Sequence, residues 1–153
     1  MTFEEALSIA HAYLSRRERT QHELREYLLK RHAEAETIDA VLRELVEQGY
    51  LDDARFARLF IQDKRDLSQW GRARISRGLI ERGIPRELAD QAVVDEIADP
   101  ADELERALGL LDGRLARAPE TTRERERALG LLLRRGYEYD LAAEAVTKYC
   151  SSR

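Results

Sequence analysis

One cysteine, Cys150, stands in 153 residues. An internal disulfide is therefore impossible, and no cysteine spacing for zinc exists. The expected setting is a reducing cytoplasm. Prolines number three and glycines eight, too few for long irregular loops. No apolar run approaches the roughly 18 residues of a membrane span, so no membrane association is expected. The opening MTFEEAL lacks the basic and apolar regions of a signal peptide. No alternating apolar and polar run argues for a strand. His11, His22 and His32 have neither a partner histidine at i+4 nor an HExxH spacing, so no metal site is expected. A phosphate-cradling glycine loop is missing, which excludes ATP hydrolysis by the usual route. No constellation of acid, base and nucleophile emerges. The chain reads as non-enzymatic and free of cofactors.

What remains is helix-forming sequence. The chain is 43% hydrophobic and 37% charged, with 7% aromatics, and Leu, Ala, Arg and Glu dominate it. Residues 79–93, LIERGIPRELADQAV, and residues 132–146, LLRRGYEYDLAAEAV, align without a gap. Leu79, Arg82, Gly83, Leu88, Ala89, Ala92 and Val93 recur as Leu132, Arg135, Gly136, Leu141, Ala142, Ala145 and Val146. A diverged third relative is LLKRHAEAETIDAVL, 28–42, with His32 where the others have glycine. Self-similarity at one period is the mark of a repeat architecture. Three copies are expected, at 1–49, 50–98 and 99–153, each of three helices. A trio of short helices buries little alone, whereas stacked copies share a continuous core. The expected fold is all-α: three tandem three-helix repeats in a curved, elongated array.

Local signals place the elements. Thr2 with Glu5, Thr20 with Glu23 and Thr121 with Glu124 read as capping boxes. Asp52 and Asp99-Pro100 read as further helix starts, and Pro85 suits the first turn of a third helix. Gly49, Gly83 and Gly136 read as left-handed stops. The third helix of copy one is expected from about Ile38 to Gln48. Phe56, Phe60, Ile75, Leu79 and Ile80 are expected core. Trp70 is read as packing in the core or its loop, with an interface anchor as the alternative, and Tyr50 and Tyr137 are read as packing between copies.

The net charge of −4 hides a period. Six basic residues oppose three acids over 13–31, six oppose two over 64–82, and seven oppose three over 114–135. Each window centres on the second helix of a copy. The third helices run the other way, with eight acids and no Lys or Arg over 87–105. A basic stripe attracts phosphate backbones or acidic protein grooves, and an acidic stripe suits a basic partner. Arg72, Arg74 and Arg77 are the first candidate contacts, then Arg25, Arg123 and Arg127, with Lys64, Arg82 and Arg135 beside them. Their expected role is charge-assisted docking to phosphate or carboxylate.

GYLDDARFARLFIQDK, 49–64, followed by GRARISRGLIERGI, 71–84, resembles the RecX family of bacterial recombination regulators. The residues that carry the likeness are Tyr50-Leu51-Asp52-Asp53, Arg55-Phe56, Phe60-Ile61, Gly71, Arg74-Ile75, Leu79 and Arg82-Gly83-Ile84. LLLRRGY, 131–137, looks like the third repeat of that family. Arg72 stands where the family often carries proline. The resemblance implies a small cytoplasmic protein, a monomer, that binds the RecA recombinase filament on single-stranded DNA. It implies suppression of the ATPase, strand-exchange and co-protease activities of that filament, with room for weak direct DNA contact. Two other classes stay open. The turns RGIPREL and RGYEYDL suit a helix-turn-helix regulator, although a recognition helix should be basic and the third helices are acidic. A helical-repeat scaffold for another protein is the other.

Overall fold

The computed structural model describes residues 1–152, and its secondary structure is helical throughout those residues. Nine helices follow one another among them: α1 (Phe3–Leu14), α2 (Gln21–Lys30), α3 (Ala35–Glu47), α4 (Asp53–Asp66), α5 (Arg72–Glu81), α6 (Arg86–Glu96), α7 (Pro100–Arg114), α8 (Thr122–Arg134) and α9 (Tyr139–Ser151). Three tandem three-helix copies are thus present, as the repeat predicts.

The caps explain most of the boundaries. Thr2 and Thr20 each take a backbone N–H on the side-chain oxygen, and Glu5 and Glu23 reach back to the cap N–H, so both boxes close. Thr121 accepts from the Glu124 amide at 3.1 Å, but its box is half made. The Glu124 carboxylate turns to the Glu120 amide and to Arg117 instead. Asp52 accepts from the Arg55 amide at 3.0 Å, and Asp99 caps α7 with Pro100 in its first turn. Two boundaries differ from expectation. The α3 helix begins three residues before Ile38, after Glu34, which makes no side-chain cap. Pro85 precedes the first helical residue of α6 rather than lying within its first turn.

The three second helices end alike. His32, Gly83 and Gly136 have φ of 66°, 86° and 95°. The next amide then reaches back five residues: Ala33 to Leu28 at 3.1 Å, Ile84 to Leu79 at 3.1 Å and Tyr137 to Leu132 at 3.1 Å. This is the Schellman closure, in which the residue after the turn packs inward. Ala33, Ile84 and Tyr137 are all buried. His32 thus makes the same turn as the glycines, at the cost a Cβ incurs in the left-handed region.

Contacts divide the chain into two compact units: Met1–Leu59 with Leu79–Ala89, and Phe60–Gly78 with the segment from Asp90 onward. The first is centred on Leu24, Leu28, Ile38, Val41 and Leu45, with Ala6 and Ala10 letting α1 approach closely. The second is centred on Leu110, Leu111, Leu132, Val146 and Tyr149, with Ala107, Ala128, Ala142 and Ala145 in the same role. Each fully buried leucine or isoleucine contributes about 1.5–3 kcal/mol.

Candidate functional site

In the second unit the start of α5 is held by backbone. The Gly71 amide donates to the Arg135 carbonyl at 2.8 Å, and the Ala73 amide to the Gly136 carbonyl at 3.1 Å. A Cβ on Gly71 would lie 2.6 Å from the carbonyl of Gly136 and the amide of Tyr137. Only glycine permits this crossing. Two side chains tie the preceding loop to the same turn. The Arg135 guanidinium donates to the Ser68 carbonyl at 2.7 Å, and the Tyr137 hydroxyl to the Gln69 carbonyl at 3.2 Å. Burial pushes the Tyr137 phenol up to about 12, so it stays a donor at all ordinary pH.

Beneath lies a charged network. The Glu103 carboxylate, on a residue only 3% exposed, accepts from the Arg72 amide at 2.9 Å. It thereby satisfies an orphan N–H of α5, where the helix dipole also favours an anion. Proline at position 72 would lack that N–H, so Arg72 and Glu103 belong together. Arg65, nearly buried, pairs with Asp102 at 2.6 Å and lies 3.5 Å from Glu103. Arg106 bridges Asp66 at 3.0 Å and Asp102 at 3.3 Å. Burial raises the Glu103 carboxyl above the usual glutamate range, against the opposing Arg72 amide and Arg65. The hydrogen bond from Arg65 holds Asp102 below its usual range.

On this frame sit five of the candidate residues. Trp70 carries two cations: Arg74 Cζ lies 4.2 Å and Lys64 Nζ 4.7 Å from its ring centroid. The Arg74 guanidinium also donates to the Arg134 carbonyl at 3.2 Å. Trp70 in turn meets Phe60 edge to face at 6.2 Å, which bears out its reading as a loop-packing residue. Arg72 lies 3.6 Å from Glu138 in a half-exposed pair. Arg77 is exposed and forms no ion pair within 4 Å among the described residues. Arg74 and Arg77, three apart on α5, share one face. Arg135 is committed to Ser68 and acts as a fastener of the frame.

The remaining candidates lie elsewhere. Arg123 and Arg127 are exposed on α8, in the second unit. In the first unit Arg25 pairs with Asp39 at 2.7 Å, so an acidic third helix there neutralises a basic second helix. Arg82 lines an open cleft of about 240 Å³ with Tyr13, His22, Glu23, Glu26, Tyr27, Lys30 and Glu81.

Beside that cleft is a feature the sequence did not disclose. Tyr13 and Tyr27 stack at 3.8 Å with a 17° interplanar angle. Arg19 lies 4.1 Å over Tyr13, and Arg31 3.7 Å over Tyr27. The result is a stack in the order Arg19, Tyr13, Tyr27, Arg31. Tyr13 reads in sequence as one more apolar position of α1, and nothing local pairs it with a tyrosine of the next helix. Tyr50 also departs from expectation. It is 53% exposed, and its ring meets that of His11 in a T-shaped pair at 5.0 Å. Among the described residues no cluster of His, Cys, Asp or Glu could hold a metal ion, and no helix is long and apolar enough to cross a membrane.

Residues 6–45 match the first three-helix domain of RecX, and residues 52–93 the second. A regulatory protein RecX of Trichlorobacter lovleyi is 36% identical over 138 residues, covering 88% of this chain and 89% of that protein. A regulatory protein RecX of Listeria monocytogenes is 32% identical over 141 residues, covering 91% of this chain but 52% of its relative. The chain thus spans about half the length of the Listeria proteins it matches. The crystal structure of RecX from Lactobacillus salivarius superposes with a TM-score of 0.86 at 19% identity, over 96% of both chains. A second crystal structure, of a regulatory protein RecX, gives a TM-score of 0.81 at 22% identity, covering 95% of this chain and 71% of that one. At those identities the structures speak for the fold.

Proposed function

The chain belongs to the RecX family, and on that premise we propose that it is a non-enzymatic cytoplasmic modulator of the RecA recombinase. In this reading it binds the RecA filament on single-stranded DNA and lowers its ATPase, strand-exchange and co-protease activities. One observation carries the proposal to particular residues. The start of α5 is fixed to the α8–α9 turn by two backbone hydrogen bonds. Arg72, Arg74 and Arg77 are presented from that fixed segment, and Lys64 of α4 joins Arg74 over the Trp70 ring. A cation held on an indole ring loses less freedom on binding than one on a free stem. The planar fork of arginine suits phosphate and carboxylate alike. The net charge of −4 disfavours avid binding to bare DNA and suits a nucleoprotein partner that offers both signs of charge.

The helix-turn-helix reading has less support. The α6 helix would be a recognition helix, yet it carries Glu87, Asp90, Asp95 and Glu96 against Arg86 alone. Such a face repels a phosphate-lined groove.

The test is sedimentation of the chain with the cognate RecA filament on single-stranded DNA, with RecA-free DNA, single- and double-stranded, as controls. Pelleting only with the filament supports the proposal. Equal affinity for naked duplex DNA moves the function to DNA regulation, and no pelleting with any of them moves it to a scaffold for another protein.

A further inference from the structure

The joint between consecutive copies is built twice from the same parts. In the first unit Thr20, the cap of α2, donates its hydroxyl to the Arg82 carbonyl at 2.7 Å. His22 lies where a Cβ on Gly83 would come within 2.2 Å. In the second unit Gly71, just ahead of α5, donates its amide to the Arg135 carbonyl at 2.8 Å. Arg74 lies where a Cβ on Gly136 would come within 2.3 Å. Each joint needs the start of a second helix with a donor, an open carbonyl on a turn, and a left-handed residue without a Cβ next to that carbonyl.

Copy one repeats the turn. Arg31 aligns with Arg82 and Arg135, and His32 with Gly83 and Gly136. The Arg31 carbonyl accepts no hydrogen bond among the described residues, and both Arg31 and His32 are exposed. Copy three repeats the other half. Thr121 caps α8 as Thr20 caps α2, but it is exposed and its hydroxyl hydrogen has no acceptor among the described residues. The cap of α8, Thr121, lies about one helical turn ahead of Glu124, the position that aligns with Gly71. The chain thus presents both halves of its own joint, one in copy one and one in copy three. His32 adds to the first half the one atom that both internal joints exclude.

We infer that His32 is a stop: its Cβ keeps a second copy of this chain from seating the start of its α8 on the α2–α3 turn. The partner is another copy because the complementary half-joint lies on the same chain. Such a contact is heterologous, so without the stop it would join chains head to tail. The block resides in the Cβ, because that atom overlaps the backbone and Cβ atoms of the incoming helix. Those cannot swing aside as the tip of a long side chain could.

The test compares His32→Gly with His32→Ala in the full chain by sedimentation velocity over a concentration series. Circular dichroism confirms that both remain helical. Gly removes the Cβ and Ala keeps it, while the imidazole is lost from both. The expected result is that only His32→Gly associates, its weight-average mass climbing with concentration past about twice that of the monomer. If neither variant associates, or both do, or the native chain already forms such chains, the inference is overturned.

Discussion

The hydroxyl of Thr20 donates to the carbonyl of Arg82 at 2.7 Å while its oxygen accepts the amide of Glu23 at 3.0 Å. One fully buried side chain therefore closes a helix cap and joins copy one to the turn of copy two. Thr20→Val keeps the shape and removes both bonds. Loss of the cap costs about 1 kcal/mol, and loss of the part-buried hydrogen bond to the Arg82 carbonyl costs about 0.5–1.5 kcal/mol more. Urea denaturation should show a total loss of roughly 1.5–2.5 kcal/mol for Val and under about 1 kcal/mol for Ser. A larger loss for Ser than for Val would mean that the methyl group matters and the hydroxyl does not.

Gly136 and His32 share a backbone conformation but not a neighbourhood. Gly136→Ala places a Cβ 2.3 Å from that of Arg74, in addition to the left-handed penalty. The expected cost is about 3 kcal/mol or more. At His32 only the backbone penalty applies. In dilute solution His32→Gly should raise stability by up to about 1 kcal/mol. Thermal melts of the two variants should therefore shift in opposite directions.

Glu103 gives stability a pH dependence of known sign. Burial raises its folded-state pKa, so the folded chain holds the proton more tightly than the unfolded chain. Stability therefore falls as pH rises through a window above about 4.3, the unperturbed glutamate value. Asp102 behaves oppositely, because Arg65 lowers its pKa. Its contribution is present above about 3.9 and lost as pH falls below that. Burial raises Asp53 as well, so denaturant midpoints measured against pH should show a reduced upper slope in Glu103→Gln and an unchanged lower one. An unchanged upper slope in that variant would assign it to another group.

Trp70 is the only tryptophan, and it carries two of the proposed contacts. Binding through Lys64 and Arg74 must disturb the cations over its ring. A fluorotryptophan-labelled chain should show a fluorine resonance that shifts on filament binding and saturates with it. The shift should disappear in a Lys64→Ala, Arg74→Ala double variant. A resonance unmoved at saturation would place the contact surface elsewhere.

The all-helical, three-copy organisation was legible because its determinants are local. Caps such as Thr2 with Glu5 and stops such as Gly83 act within one turn of chain, and the repeat reads each of them more than once. The exceptions also have local causes. Glu124 has a competitor in Arg117, so the third capping box stays half open. Contacts between distant segments left little trace. Arg135 looked like another surface cation, yet it holds the Ser68 carbonyl. Tyr50 and Tyr137 each follow a helix-ending glycine, but Gly49 closes a third helix and Gly136 a second, and it is the Tyr137 hydroxyl that reaches the Gln69 carbonyl. Glu103 sits in an acidic run with seven other carboxylates, and only its place beneath the α5 start makes it the buried one. The stack of Arg19, Tyr13, Tyr27 and Arg31 depends on two helices meeting at one register, which spacing along either helix does not reveal.

The central claim is that a RecA filament is restrained through the basic face of α5. The direct measurement is the single-stranded-DNA-dependent ATPase of the cognate RecA, titrated with the native chain and with the Arg72→Ala, Arg74→Ala, Arg77→Ala triple variant. The account predicts inhibition by the native chain at or below one molecule per recombinase. For the folded triple variant it predicts an inhibition curve displaced by about tenfold or more, as losing a few charge-assisted contacts implies. An ATPase untouched by a large excess of folded native chain would contradict the account. Full inhibition by the triple variant would remove α5 from it.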